Sequence, residues 1–447
     1  MAFVFKFFKT VRTHWKKSIV FTAIGVYGVK FGIDRYEDDM LRRQYCAEAK
    51  VYGDQIAQFG GPNRKITVFL NPAASGTESK KLFEKNAAPI LYLAGLEVNV
   101  VKTEYDGQIK EFFKLLERKH VDGVVVAGGN GSLLEVVTGM MRKEDKEFRQ
   151  KVPVGVIPTG KTNKFATFFF GSDKQKVRRM LDSAMAVVKG ATQKIDVIKI
   201  QGEDGRSTFA LCSLEMGGYR DAKEKTSKYW YLGPLKHRFT YLWFTVRSWP
   251  PSVRGTLEYM EAKDTDVPKQ KEKKEEPQKQ QESWMTSLLY MITGSRKPVQ
   301  IIESGLNEST DRRMRTQLQN TECYKPYQRI ATYTNGTTLL MVTFQILACS
   351  KLPTTMKGVQ MGLGPEEIAK SDFITEGWKR LQDPVWSVGS DANQQTLCRK
   401  VKFTPKVKKG TELWYSIDGE QFEALPVEVS LMKNKLNVFT SEDKSPS

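Results

Sequence analysis

A chain of 447 residues, 40% hydrophobic and 27% charged, is long enough for two domains and a sizeable core. Its net charge of +19 and pI near 9.5 favour anionic partners, whether nucleotide, nucleic acid or an acidic membrane surface, without choosing among them. Five cysteines without CxxC or any repeated spacing, and three distant histidines (His14, His120 and His237), give no support to a disulfide framework, a zinc site or a Ser-His-Asp site.

Residues 1–60 read as a basic targeting and membrane-anchor segment. The first 33 positions hold Lys6, Lys9, Arg12, Lys16, Lys17 and Lys30 and no acid, as in a mitochondrial targeting segment. The apolar run Ile19 to Val29 reaches only about 17 Å as a helix against a ~30 Å hydrocarbon core, and extension to Ile33 with snorkelling lysines narrows the gap. A cleaved secretory signal also fits by length, but the cysteine pattern of a secreted protein is lacking. If the run spans, the positive-inside rule leaves the N-terminus in the matrix and the body in the intermembrane space.

Residues 61–190 alternate strand and helix, the signature of a parallel sheet covered by helices. Ile66 to Leu70 is the first strand, followed by the loop Asn71-Pro-Ala-Ala-Ser-Gly76 and a helix ending at Gly95. Val98 to Thr103 is the second strand, and Ile109, Phe112, Phe113 and Leu116 mark a helix face. The next stretch, Gly123 to Gly139, opens with a valine run that reads as a strand buried on both faces. Ser132 and Glu135 have capping-box spacing, and Leu133, Val136, Val137, Met140 and Met141 line one helical face. Gly128, Gly129, Asn130 and Gly131 lie between strand and helix, where backbone amides can approach a phosphate. A strand from Val152 to Ile157 and a helix carrying Val177, Met180, Leu181, Ala184 and Val188 complete the unit. Right-handed crossovers place all these loops along one edge.

Gly155-Val-Ile-Pro-Thr-Gly-Lys-Thr162 spells a Walker A motif, but Gly155 falls inside an apolar run, so the loop begins too late for a P-loop. Residues 191–447 change texture. Strand-like runs at Ile195 to Ile200, Thr208 to Cys212, Thr338 to Leu347, Leu413 to Ile417, Val427 to Leu431 and Leu436 to Phe439, with little helical periodicity between them, predict a mainly antiparallel β domain. Pro268 to Glu282 is almost wholly Lys, Glu, Gln and Pro and reads, within 266–283, as a disordered insertion. Trp284 to Ile292 is an apolar patch that either touches membrane or forms a buried helix.

Gly128-Gly-Asn-Gly-Ser132 resembles the GGDGT signature of the diacylglycerol, sphingosine and ceramide kinase family. Asn71-Pro-Ala-Ala-Ser-Gly76 is similar to its NPxxG-type loop, and Pro158-Thr-Gly-Lys-Thr-Asn163 sits at its PxGTxN. Blocks from Thr13-His-Trp-Lys-Lys17 to Leu425-Pro-Val-Glu-Val429 resemble the mitochondrial acylglycerol kinase branch of that family. The resemblance implies an α/β nucleotide-binding domain, a β-sandwich lipid-side domain, an N-terminal membrane-associated helix, and a cleft between the domains. The implied reaction moves the γ-phosphoryl group of ATP, with Mg2+, to mono- or diacylglycerol. Asn71, Thr103, Gly128, Gly129, Gly131, Ser132, Gly160 and Asn163 are the implied nucleotide-binding residues. Asp418 and Glu420 of the DGE-like Ser416-Ile-Asp-Gly-Glu420 are the implied catalytic and metal residues, with Asn130 at the signature aspartate and Asp221 on the lipid side. Composition alone reads Asp418-Gly419 as a hairpin turn.

Three positions depart from the pattern: Asn130 for the signature aspartate, Lys161 for the threonine of PxGTxN, and Lys164 where many relatives carry aspartate. An amide still makes hydrogen bonds but cannot take a proton or offer Mg2+ a charged oxygen. The resemblance thus also implies a non-catalytic alternative, a subunit of the inner-membrane translocase that inserts carrier proteins. Membrane lipids and translocase subunits, and no nucleic acid, are the partners it implies.

Overall fold

Every residue from Gly123 to Gly128 is buried, because this valine-rich strand is covered on both faces, and the rest of the fold is arranged around it. The computed structural model describes residues 15–59, 63–171, 175–249, 253–261, 339–341, 343–347, 358–365, 367–382, 394–406 and 413–440. The charged insertion from Pro268 to Glu282 and the apolar patch from Trp284 to Ile292 lie outside the described residues.

Helix α1 (Trp15–Phe59) has 45 residues. Its second half is docked: Ala49 is fully buried, Tyr45 Oη donates to Asp182 Oδ1 at 2.5 Å, and Arg42 Nε donates to Asn86 Oδ1 at 2.8 Å. Towards its start, Ile24, Val26, Tyr27, Val29, Phe31 and Ile33 are exposed. Among the described residues no helix is long and apolar enough to cross a membrane. Lys30 and the charged run Asp34, Arg35, Glu37, Asp38 and Asp39 interrupt this one.

Four parallel strands follow: β1 (Lys65–Leu70), β2 (Glu97–Lys102), β3 (Gly123–Gly128) and β4 (Val154–Pro158), side by side in the order β4, β3, β1, β2. The helices between them are α2 (Ser79–Asn86), α3 (Ala88–Leu93), α4 (Gln108–Leu115), α5 (Asn130–Arg142) and α6 (Lys146–Lys151). After β4 come α7 (Lys164–Phe170) and α8 (Lys176–Lys189), the latter ending on Gly190 with φ +72°. The strand order reverses between β1 and β3, so the loops after these two strands face one crevice at the carboxyl edge. Gly155 lies within β4, where an added Cβ would stand 3.0 Å from Val187 and 3.1 Å from Phe439, so the Walker-like spelling is strand packing.

The remaining strands are β5 (Thr192–Gly202), β6 (Ser207–Ala210), β7 (Ser213–Gly217), β8 (Val253–Glu261), β9 (Leu339–Met341), β10 (Thr343–Leu347), β11 (Val359–Leu363), β12 (Gln394–Pro405), β13 (Trp414–Ile417), β14 (Glu420–Glu423) and β15 (Val427–Phe439). Their pairings with one another are antiparallel. The two C-terminal runs expected as separate strands are one strand, β15, with a register irregularity between Met432 and Leu436. That irregularity lets β15 serve two cores. Val427 and Val429 pack with the antiparallel strands, whereas Leu436, Val438 and Phe439 enter the α/β core, and Val438 pairs with Val154 of β4 in parallel.

The expectation of little helix after Gly190 is corrected by α9 (Gly218–Glu224), α10 (Lys236–Arg247) and α11 (Lys370–Gln382). They pack on Tyr219, Ala222, Tyr241, Phe244 and Phe373, with Tyr219 and Phe373 stacked 4.4 Å apart. Gly377 is small because Tyr241 lies where its Cβ would be, at 2.4 Å.

Candidate active site

The glycine loop is held by two neighbouring loops. Helix α5 begins at Asn130 with Gly129 as N-cap, three residues ahead of Ser132, the N-cap of the expected capping box. Ser132 and Glu135 have other partners: Ser132 Oγ accepts from Asn71 Nδ2 at 3.0 Å, and Glu135 Oε1 accepts from Gly107 N at 2.8 Å, where α4 starts from a left-handed glycine. Asn71 Oδ1 also accepts from Ala73 N at 3.0 Å, so one side chain folds its own loop and ties it to the glycine loop.

On the other side the loop meets residues 159–163. Gly160 N donates to Gly128 O at 3.1 Å, and a Cβ on Gly160 would lie 2.5 Å from Gly129 Cα. Asn130 seals this seam. Its Nδ2 donates to Thr162 Oγ1 at 3.2 Å, and its Oδ1 accepts from Lys164 N at 2.8 Å.

The third wall is the β13–β14 hairpin. Asp418 (φ +51°) and Gly419 (φ +100°) form its two-residue turn, with Ile417 paired to Glu420. Asp418 is 5% exposed, and its carboxylate accepts from Leu211 N, Cys212 N and Ser213 N at 2.7 to 2.8 Å. Burial pushes its pKa up, opposed by these three donors and the Lys164 charge. The side chain therefore pins residues 211–213 instead of facing a cleft. Glu420, by contrast, is exposed, and its carboxyl group lies close to Gly131, whose N–H donates to it. Partial desolvation of the carboxyl group where it packs against Gly131 raises its pKa against that bond, and repulsion from Asp106, Glu224 and Glu135 adds to the rise.

Two clefts flank the seam. One, of about 970 Å³, is walled by the 71–76 loop, Thr103, Gly129, Gly131, Ser132 and Glu420. The other, of about 410 Å³, is lined by Asn163, Glu215, Arg220 and Lys223, and both include Asn130, Gly160, Lys161 and Thr162. Both volumes suit small ligands. Asn71, Thr103, Gly129, Gly131, Ser132, Gly160 and Glu420 thus meet at the first cleft, with Gly128 directly behind them. Asn163 does not join them: it caps α7 by accepting from Ala166 N at 2.8 Å and faces the second cleft. Asp221 lines neither cleft and pairs with Arg220 at 2.8 Å.

Lys164 Nζ donates to Glu215 Oε1 at 2.6 Å and to Ser213 Oγ at 2.9 Å. Burial works to lower the Lys164 pKa, and the Glu215 charge outweighs it. Burial likewise works to raise Glu215, but Lys164 and Lys223 hold it down at about 2. Sequence reasoning missed this pair and also Arg179, Arg220 and Lys223, because Lys164, Arg179, Glu215 and the α9 turn that carries Arg220 and Lys223 come from separate segments that no motif links.

The model of the diacylglycerol kinase catalytic domain matches residues 65–200, and that of the acylglycerol kinase C-terminal region matches 211–447. The mitochondrial acylglycerol kinase of Homo sapiens is 35% identical over 441 residues, covering 98% of this chain and 97% of that one. The chain belongs to the acylglycerol kinase family. It is accordingly a lipid kinase. The Mus musculus acylglycerol kinase is 35% identical over 439 residues, again covering 98% and 97%. A putative diacylglycerol kinase from Bacillus anthracis str. Sterne superposes with a TM-score of 0.49 at 14% identity, covering 86% of this acylglycerol kinase family member and 99% of the bacterial chain.

Proposed function

We propose that the chain transfers the γ-phosphoryl group of ATP to a hydroxyl of mono- or diacylglycerol, giving lysophosphatidic or phosphatidic acid in mitochondria. The observation that carries this reading is the roughly 970 Å³ cleft at the carboxyl edge of the parallel strands, walled by glycines whose backbone can approach phosphates. Asn71, Thr103 and Ser132 shape its nucleotide side, and the second cleft receives the acceptor. Asn163 contributes from that second side.

Phosphoryl transfer asks a protein mainly for positioning and charge neutralisation. Among the described residues no three His, Cys, Asp or Glu side chains form a metal cage. A nucleotide-borne Mg2+ fits nonetheless, since it is commonly held by one or two carboxylates plus phosphates. Glu420, crowded by acidic neighbours, would hold it, while Asp418 serves from behind by fixing the hairpin. Held there, the ion would supply neutralisation of phosphate charge. Exposed apolar side chains of α1 and Trp230, Tyr231, Leu235 and Val246 support attachment to the inner membrane, with the body in the intermembrane space. Asp221, beside Arg220, is kept as a lipid-side residue of this proposal.

Asn130 limits the rate because its amide cannot accept the hydroxyl proton. The test is Asn130→Asp. A carboxylate there still accepts from Lys164 N and turns the Thr162 hydroxyl into a donor, so the seam survives and only the charge changes. With radiolabelled ATP and monoacylglycerol, turnover should rise on the order of 10²- to 10⁴-fold. Robust turnover in the original, unchanged by the substitution, refutes the assignment. If neither protein turns over and both co-purify with carrier-translocase subunits, the non-catalytic reading replaces this one.

A further inference from the structure

The second cleft has a charge that a neutral acylglycerol does not require. Lys161, Lys164, Lys176, Arg179, Arg220 and Lys223 line it, against the acids Glu215 and Glu224. Lys164 is neutralised by Glu215, but the others leave a clear positive excess in about 410 Å³. Arg220 is 7% exposed, and only its Nη1 is satisfied, by Asp221 at 2.8 Å. Its Nε and Nη2, together with Arg179 Nε and Asn163 Nδ2, are buried donors without an acceptor. A buried donor left unpaired costs about 1–3 kcal/mol, more when charged. Four such nitrogens on three side chains that line one positively charged cleft point to a ligand rich in acceptor oxygens, which these side chains would turn to meet. A phosphate monoester matches in charge, and arginine's planar fork suits its oxygens.

We propose that this cleft binds a phosphate monoester through Arg220, Arg179, Lys161 and Lys223, on the far side of the Asn130 seam from the nucleotide. The assignment rests on the lipid-kinase reading and deepens it: the phosphorylated lipid leaves its headgroup in the site that admitted the hydroxyl. The same charge disfavours an acceptor bearing an ammonium group.

The test is calorimetric binding to the full chain in detergent. The probes are a short-chain acylglycerol phosphate, its phosphocholine diester, inorganic phosphate and a non-hydrolysable ATP analogue. The monoester should bind, the diester at least ten-fold more weakly, and Arg220→Gln or Lys223→Gln should each weaken the monoester about ten-fold, roughly the 1.4 kcal/mol of one charged hydrogen bond. Lys223→Gln, an exposed position outside the nucleotide cleft, should leave the ATP analogue unaffected and keeps the test decisive if Arg220→Gln misfolds. Tighter binding of the lipid than of inorganic phosphate assigns the site to a lipid headgroup, and equal binding assigns it to free phosphate. Monoester affinity unchanged in Lys223→Gln and in every folded Arg220 variant, or a diester that binds equally well, overturns the proposal. Failure of the original protein to bind the ATP analogue would count against the kinase reading and not against this site.

Discussion

Gly160→Ala tests the seam on which both clefts depend. The new Cβ would lie 2.5 Å from Gly129 Cα, 2.7 Å from Gly129 N and 3.1 Å from Gly128 C. All three are backbone atoms, so no side chain can swing aside. Relief to an ordinary carbon contact requires the loops to part by roughly 1 Å. That retreat takes the 3.1 Å bond from Gly160 N to Gly128 O out of range and strains the two Asn130 side-chain bonds. Overpacking of ~1–3 kcal/mol plus one lost hydrogen bond of ~0.5–1.5 kcal/mol gives a destabilisation of about 2–4 kcal/mol. Thermal unfolding followed by circular dichroism, with titration of a fluorescent ATP analogue, reads both consequences: a lower melting temperature and at least ten-fold weaker nucleotide binding. Gly205→Ala is the control, since Gly205 has φ +76° and no atom within 4 Å of its virtual Cβ; it should lose stability only, by about 1 kcal/mol. A Gly160→Ala protein that melts and binds like the original would refute the close-approach argument.

Other expectations follow from the charges. Lys164→Met leaves Glu215 buried without its partner and should cost about 3–5 kcal/mol, whereas Lys164→Met combined with Glu215→Leu should recover much of the loss, as denaturant titrations would show. Because Glu215 is depressed to about 2, its stabilisation is present above the unfolded value near 4.5 and is lost as the pH falls through about 2; in Glu215→Gln the acid-unfolding curve should flatten across that window. Glu420 is shifted the other way, so a role that needs its carboxylate ionised places the acidic limb of kcat/KM above the ordinary glutamate range. Asp106→Asn, by removing a repelling charge, should move that limb to lower pH, and an unmoved limb would dissociate Glu420 from it.

The parallel half of the fold was legible because burial on both faces forces an unbroken apolar run, as in Val124, Val125 and Val126. The glycine loop was legible for a related reason: only glycine allows the backbone of Gly160 to meet that of Gly129, and such crowding leaves a mark in composition. Strand β8, absent from the sequence expectations, has a readable alternation in Val253, Gly255, Leu257 and Tyr259. The helices α9 to α11 left a weaker mark. Their shared core is a few aromatic rings around Phe373, and Gly233 and Pro234 interrupt the periodicity between α9 and α10. Asn130 could be read as a departure from a motif, but not as the clasp of two loops, since Thr162 and Lys164 lie a whole helix, a short helix and a strand away. The basic lining of the second cleft was illegible for the same cause: Lys161, Arg179 and Arg220 are neighbours only once the sheet has assembled.

Strand β15 also constrains the order of assembly. The slot beside Val154 that receives Val438 and Phe439 stays open to solvent until a segment made far later in translation arrives. A nascent chain therefore leaves an apolar gap beside β4 for most of its synthesis. Fragments cut at the apparent boundary near Gly190 should be sticky rather than independently folded, and nucleotide binding should mature only when the last strand docks.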